Sequence, residues 1–122
     1  MSEKKKLVVV VSNGFSDERS SVALSVANSG INSGLDVTMF LVSAAVDLVR
    51  KGAAAVAQLN PLDPTLGEML DNFISAGGKV LVCPACAKVR GYGEKDVVDG
   101  VSIKSSAAMH ELIAQGAATL SF

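Results

Sequence analysis

Short, nearly continuous apolar runs alternate along this chain with stretches in which apolar positions recur every three or four residues. Leu7 to Val11 is a Val-rich run without a polar break, the pattern of a strand covered on both faces. Ser16 is placed to cap the following helix, with Asp17 and Glu18 in a first turn where the helix dipole favours negative charge. Val22, Ala23, Val26, Ala27 and Ile31 then recur at helical spacing until Asn32-Ser33-Gly34 stops the helix. Leu35 to Val42 repeats the strand pattern, and a short Ala/Val/Leu helix from about Ala44 to Arg50 follows. From Gly52 to Pro64 the chain is Ala-rich and then broken by Pro61, Asp63 and Pro64, which reads as a crossover loop.

Thr65 and Glu68 have the spacing of a capping box, and Leu66, Met69, Leu70, Phe73 and Ile74 follow the rule of one apolar helix face. Gly77-Gly78 ends that helix. Lys79 to Val82 is then a third strand and Val101 to Ile103 a fourth. Ser105 to Gln115 reads as a helix with Met109, Leu112 and Ile113 inward, and Ala118 to Phe122 as a last strand. Strands alternating with helices favour parallel pairing through right-handed crossovers. The expected fold is therefore α/β: a three-layer α/β/α sandwich with a mostly parallel five-stranded sheet, formed by residues 1–122 as one domain.

Composition agrees and narrows the function. Hydrophobic residues are 49% and charged residues 19% of the chain, which suits a packed core and not a disordered segment. The formal net charge of −1 offers no broad cationic field, so nucleic acid is not expected as a partner. The longest apolar stretch without a charge, Val37 to Val46, is about half of what a bilayer requires, and the N-terminal apolar run is too short for a secretory signal, so no membrane association and a cytoplasmic location are expected.

The two cysteines are too few for a disulfide framework and stand three residues apart, in Val82-Cys83-Pro84-Ala85-Cys86-Ala87-Lys88-Val89-Arg90-Gly91-Tyr92. A strand ends at Cys83, Pro84 suits the first position of a helix, and Gly91 can close it. Cys83 then sits at an N-cap on the carboxyl edge of the sheet, where ligands of open α/β folds bind. Unpaired N–H groups there lower a thiol's pKa and favour the nucleophilic thiolate. Lys88 and Arg90 are placed to add positive potential, and Cys86 to act as a resolving thiol. Buried, inert cysteines are the plain alternative. Zinc would need two more ligands, from His110 or another subunit, so neither a metal nor a cofactor is expected. A thioredoxin-like role for the Cys-Pro-x-Cys pair is disfavoured because the pair follows the third strand rather than the first.

These elements resemble the DsrE/DsrF-like sulfur-carrier proteins. The likeness runs through the opening Val-rich strand, Gly34-Leu35-Asp36-Val37, Phe40-Leu41, Gly77-Gly78-Lys79-Val80, the cysteine turn closing in Arg90-Gly91, and the helix before Gly116. Its most specific element is a cysteine ending the third strand eight residues before the glycine of Arg-Gly, met by Cys83 and Gly91. The resemblance implies a persulfide on Cys83, sulfurtransferase-type activity, sulfur-donor and sulfur-acceptor proteins as partners, and assembly into homotrimers or hexamers. Cys86 matches a cysteine present in only some members. Two other readings stand beside it: a non-catalytic oligomeric scaffold or small-ligand subunit, and a thiol-disulfide redox protein using Cys83 and Cys86. Asn13 and Gly14 follow the first strand at the same sheet edge and are placed to line the Cys83 pocket, whereas His110, Asp96 and Asp99 read as surface residues.

Overall fold

The computed structural model describes residues 4–122. Five strands, β1 (Lys6–Val11), β2 (Asp36–Leu41), β3 (Lys79–Val82), β4 (Val101–Ile103) and β5 (Ala118–Ser121), form one sheet in the order β4-β3-β2-β1-β5. Every pairing is parallel. The helices are α1 (Arg19–Asn32), α2 (Leu66–Ser75), α3 (Pro84–Lys88) and α4 (Ser106–Ala114), with 3-10 turns at Ser43–Val49 and Glu94–Asp96. The chain steps from β1 through β4 in one direction and returns to β5 across the sheet. Right-handed crossovers therefore set α1 and α2 on one face and α4 on the other.

The main core lies under α1 and α2. Leu7, Val9, Val11, Val37, Met39, Leu41, Val80 and Val82 point into it from alternate strand positions, against Leu24, Leu66, Met69, Leu70 and Phe73. Thr65 caps α2 through its Oγ1, which accepts the Glu68 N–H at 3.2 Å. Cβ atoms are kept from the Phe73 ring by Gly78, where one would lie 2.4 Å away.

Four local expectations change. The N-cap of α1 is Glu18 and not Ser16. The Ser20 hydroxyl donates to the Asn13 and Gly14 carbonyls, and Asp17 accepts the Arg19 N–H at 2.9 Å, so the turn is held and the helix starts later. Ser20, Ala23, Leu24, Ala27 and Gly30 then form the buried stripe, leaving Val22 exposed. The segment after β2 is a 3-10 turn rather than an α-helix. Finally, α4 has no buried residue: Met109 and Leu112 are half-buried and Ile113 is exposed, because this helix covers its sheet face alone. The adjoining edge strand β5 is likewise exposed along its length.

Candidate functional site

The parallel register brings three strand ends to one edge. Val11 lies opposite Leu41, and Leu41 opposite Val82, so the chain leaves β1, β2 and β3 side by side. The ladder continues one residue further: the Cys83 N–H donates to the Leu41 carbonyl at 3.0 Å, and the Val42 N–H to the Val11 carbonyl at 2.9 Å. Cys83 is thereby fixed to β2 before the chain turns into α3.

Cys83 is the N-cap of α3, with a non-helical φ of −58° and ψ of 122°, and Pro84 opens the helix. The Ala87 N–H closes the first helical bond on the Cys83 carbonyl at 3.0 Å. At the other end, the Tyr92 N–H reaches the Ala87 carbonyl and the Gly91 N–H the Lys88 carbonyl, a Schellman closure that requires the left-handed φ of +77° at Gly91. Five residues thus form a turn closed at both ends, with the half-buried Cys83 thiol at its head.

That thiol is held below the ordinary thiol pKa. The largest cause is the Cys86 N–H, burial acts in the opposite sense, and the Cys86 thiol and Ala85 N–H lower it further. No side-chain hydrogen bond of full cap geometry is closed on the helix, which is too short for a large dipole, so the effect comes from individual nearby donors. Lys88 and Arg90 are not among them. Lys88 is exposed, while the Arg90 guanidinium donates to the Cys86 carbonyl at 3.1 Å and lies 3.5 Å from the Asp47 carboxylate.

Cys86 is also half-buried, and its Sγ accepts the Ser43 N–H at 3.2 Å. Ser43 is the one non-glycine residue with positive φ among the described residues, +53°, and this left-handed step turns the chain out of β2 into the 3-10 turn just after the N–H that Cys86 accepts. Asn13 is at the same edge, but its carbonyl accepts the Ser20 hydroxyl, and among the described residues no hydrogen bond joins it to either cysteine. Gly14 packs on the 3-10 turn that begins at Ser43, where a Cβ would come within 2.7 Å of the Ala44 carbonyl oxygen.

Two contributors escape sequence reasoning. Asp47 lies on the 3-10 turn and accepts the Tyr92 hydroxyl at 2.7 Å besides facing Arg90. It fastens the segment after α3 to the segment after β2, across 45 positions that no local pattern connects. The Tyr92 phenol is pushed up, first by donating to Asp47, then by burial and the Asp47 charge, with Arg50 and Arg90 acting the other way. Ser43 is the other, since nothing in a serine after a strand announces a left-handed backbone. Asp96, read from the sequence as solvated, is half-buried and its carboxylate accepts the Gly93 N–H at 2.8 Å. His110 and Asp99 are exposed. Among the described residues no three His, Cys, Asp or Glu side chains converge as a metal site, and no helix is long and apolar enough to cross a membrane.

The profile of the DsrE/DsrF-like family matches residues 4–122. The uncharacterized protein MJ0989 of Methanocaldococcus jannaschii is 33% identical over 111 residues, covering 90% of each chain. The uncharacterized protein MK0008 of Methanopyrus kandleri is 34% identical over 109 residues, covering 88% of this chain and 83% of its own. Among solved structures, the ychN protein from E. coli superposes with a TM-score of 0.80 at 23% identity, covering 98% of this chain and all of that one. MTH1491 from Methanobacterium thermoautotrophicum, a protein of unknown function, superposes with a TM-score of 0.72 at 14% identity, with the same coverage. These two structures share the parallel α/β fold. The chain belongs to the DsrE/DsrF-like family.

Proposed function

We propose that this DsrE/DsrF-like protein is a cytoplasmic sulfur-relay protein that carries sulfane sulfur as a persulfide on Cys83. The single observation that supports the reading most is the Cys83 thiol at the head of a closed turn, with the Cys86 N–H holding its pKa down. A persulfide carrier needs its cysteine as thiolate when it accepts sulfur and as a good leaving group when it gives sulfur away, and a lowered pKa serves both steps.

In the first step the Cys83 thiolate attacks the terminal sulfur of a donor persulfide. The new Cys83 S–S bond forms as the donor S–S bond breaks, the terminal proton stays on the transferred sulfur, and the donor leaves as thiolate. An acceptor thiolate reverses the process, and Cys83 departs as thiolate again. A branch is open to Cys86, whose thiolate could attack the Cys83 Sγ, release hydrosulfide and leave an internal disulfide. That branch reduces the sulfane sulfur at the expense of the two cysteines, and an external thiol must supply two electrons to reset them.

Donor and acceptor proteins are the partners this reading requires. Assembly of several copies belongs to it too, because α4 and β5 carry exposed Ile113 and Leu120 with little of this chain to cover them. Incubation with inorganic polysulfide, followed by intact-mass spectrometry of wild type and Cys83→Ser, tests the central claim. Sulfur adducts on wild type and none on Cys83→Ser are expected. Equal adducts on both proteins, or none on either, would remove the carrier role and favour a scaffold.

A further inference from the structure

Charge on this near-neutral chain is unevenly placed. Arg50, Lys51, Arg90 and Lys95 line one open cavity of about 300 Å³, together with Tyr92 and Asp96. Among the described residues the ion pairs are Arg19–Asp17 and Arg90–Asp47, so Arg50, Lys51 and Lys95 have no carboxylate partner within bonding distance. Asp96, the acid in the lining, already accepts the Gly93 N–H. By contrast, a cavity of about 410 Å³ at the opposite sheet edge combines Lys4 and Lys6 with Asp36.

The backbone makes this concentration a built feature. Arg50 pairs with Val97 in an antiparallel bridge, the Lys51 N–H donates to the Asp96 carbonyl at 2.9 Å, and the Val98 N–H to the Val49 carbonyl at 2.9 Å. The segments bearing Arg50, Lys51 and Lys95 are therefore held side by side. Arg90 is oriented separately, by the Cys86 carbonyl and Asp47. Arg50 and Arg90 line the cavity together with Tyr92, and both charges act on its phenol.

The cavity is continuous in sequence with the cysteine turn. Arg90 binds the Cys86 carbonyl directly, and Val89, with 79% of its surface exposed, stands between Lys88 and Arg90 at the end of α3. A cleft with four cations on three chain segments is the complement of an acidic protein segment. A single small oxyanion could meet only some of cations spread over three segments, whereas several carboxylates on one chain can meet them all. Charge complementarity of this kind sets encounter rate and register more than affinity.

We propose that this cleft docks an acidic surface segment of the protein that exchanges sulfur with Cys83. The proposal rests on the sulfur-relay reading for the identity of the exchange, and on the cleft alone for the acidic segment. Docking there would present the partner's reactive sulfur to the turn that Arg90 helps to hold.

The test uses the full chain and a fluorescein-labelled octaglutamate peptide, with anisotropy measured at low salt and an octaglutamine peptide as control. Octaglutamate is expected to bind, octaglutamine not to bind, and added salt to weaken binding. Lys51→Glu combined with Lys95→Glu exchanges two attractions for two repulsions and should weaken binding about tenfold or more. Lys4→Glu with Lys79→Glu, away from the cleft, should leave it unchanged. Equal affinity for wild type and the Lys51/Lys95 variant, equal loss in the Lys4/Lys79 variant, or full displacement by inorganic sulfate at matched ionic strength would each overturn the proposal. Sulfur uptake from inorganic polysulfide should be unaltered in the Lys51/Lys95 variant. If wild type binds octaglutamate and takes up no sulfur, the relay reading falls and the acidic-segment site stands.

Discussion

Replacing Tyr92 with phenylalanine keeps the ring and removes one hydroxyl, so it isolates the bond that fastens the cysteine turn to the segment after β2. That hydroxyl donates to Asp47 at 2.7 Å. Hydrogen bonds to charged groups contribute about 1.5–3 kcal/mol, but both partners here are partly open to water, so the expected loss is about 1 kcal/mol. Asp47→Ala removes this bond and also the contact with Arg90 at 3.5 Å, where the Arg90 and Asp47 side chains are 29% and 39% exposed. A pair that open to solvent adds about 0.2–1 kcal/mol, for a total near 1.5. In the Asp47→Ala background, Tyr92→Phe should then cost almost nothing, a coupling of about 1 kcal/mol. Urea unfolding at fixed protein concentration measures it. Far-ultraviolet circular dichroism is the suitable probe, because the chain has no tryptophan and its one tyrosine is the residue being changed. With a slope of about 2 kcal/mol per molar urea, the midpoint should fall by about 0.5 M. If Tyr92→Phe lowers it equally in both backgrounds, the clasp does not exist and its role in holding the turn is wrong.

Alkylation of Cys83 by iodoacetamide in a Cys86→Ala background should accelerate at lower pH than for an unstructured cysteine peptide, since the Cys86 N–H belongs to the backbone and survives; coincident profiles would contradict the assignment. Tyr92 has a raised pKa, so its contribution to stability is complete below the usual phenol value of about 10 and is lost as pH rises through the folded value. The stability gap between wild type and Tyr92→Phe should therefore narrow in the alkaline range, and a gap independent of pH would refute this. Phe73→Ala empties a site of 0% exposure and should cost about 3–5 kcal/mol in urea unfolding, with a loss under 1 kcal/mol showing that the core is not centred there. Sedimentation should show trimers or hexamers that Leu120→Glu shifts toward smaller species; monomeric wild type at all concentrations would count against assembly through β5.

The hydrophobic pattern determined more of this molecule than its site. Buried parallel strands are apolar on both faces and so stand out as runs, which is why Leu7–Val11 and Lys79–Val82 are legible as strands. The single apolar face of α2 and its Thr65 cap are equally local signals. The cysteine turn was also readable, because Pro84 and Gly91 mark its two ends through their own backbone preferences. What failed locally failed for tertiary reasons. Ser16 lost the N-cap to hydrogen bonds that reach back to Asn13 and Gly14, and α4 keeps Met109 and Leu112 only half-buried and Ile113 exposed because, among the described residues, no other helix shares that side of the sheet.

Sequence by itself determined that a thiol stands at a strand end before a helix. Only the tertiary structure decided what surrounds it. Parallel register placed the exits of β2 and β3 together, which brought the Ser43 N–H to Cys86, Asp47 to Tyr92 and Arg90, and the segment at Arg50 against Val97. These partners lie from 43 to 47 positions apart, and a hydrogen bond or a cluster of charge across that distance leaves no period in the chain to be read.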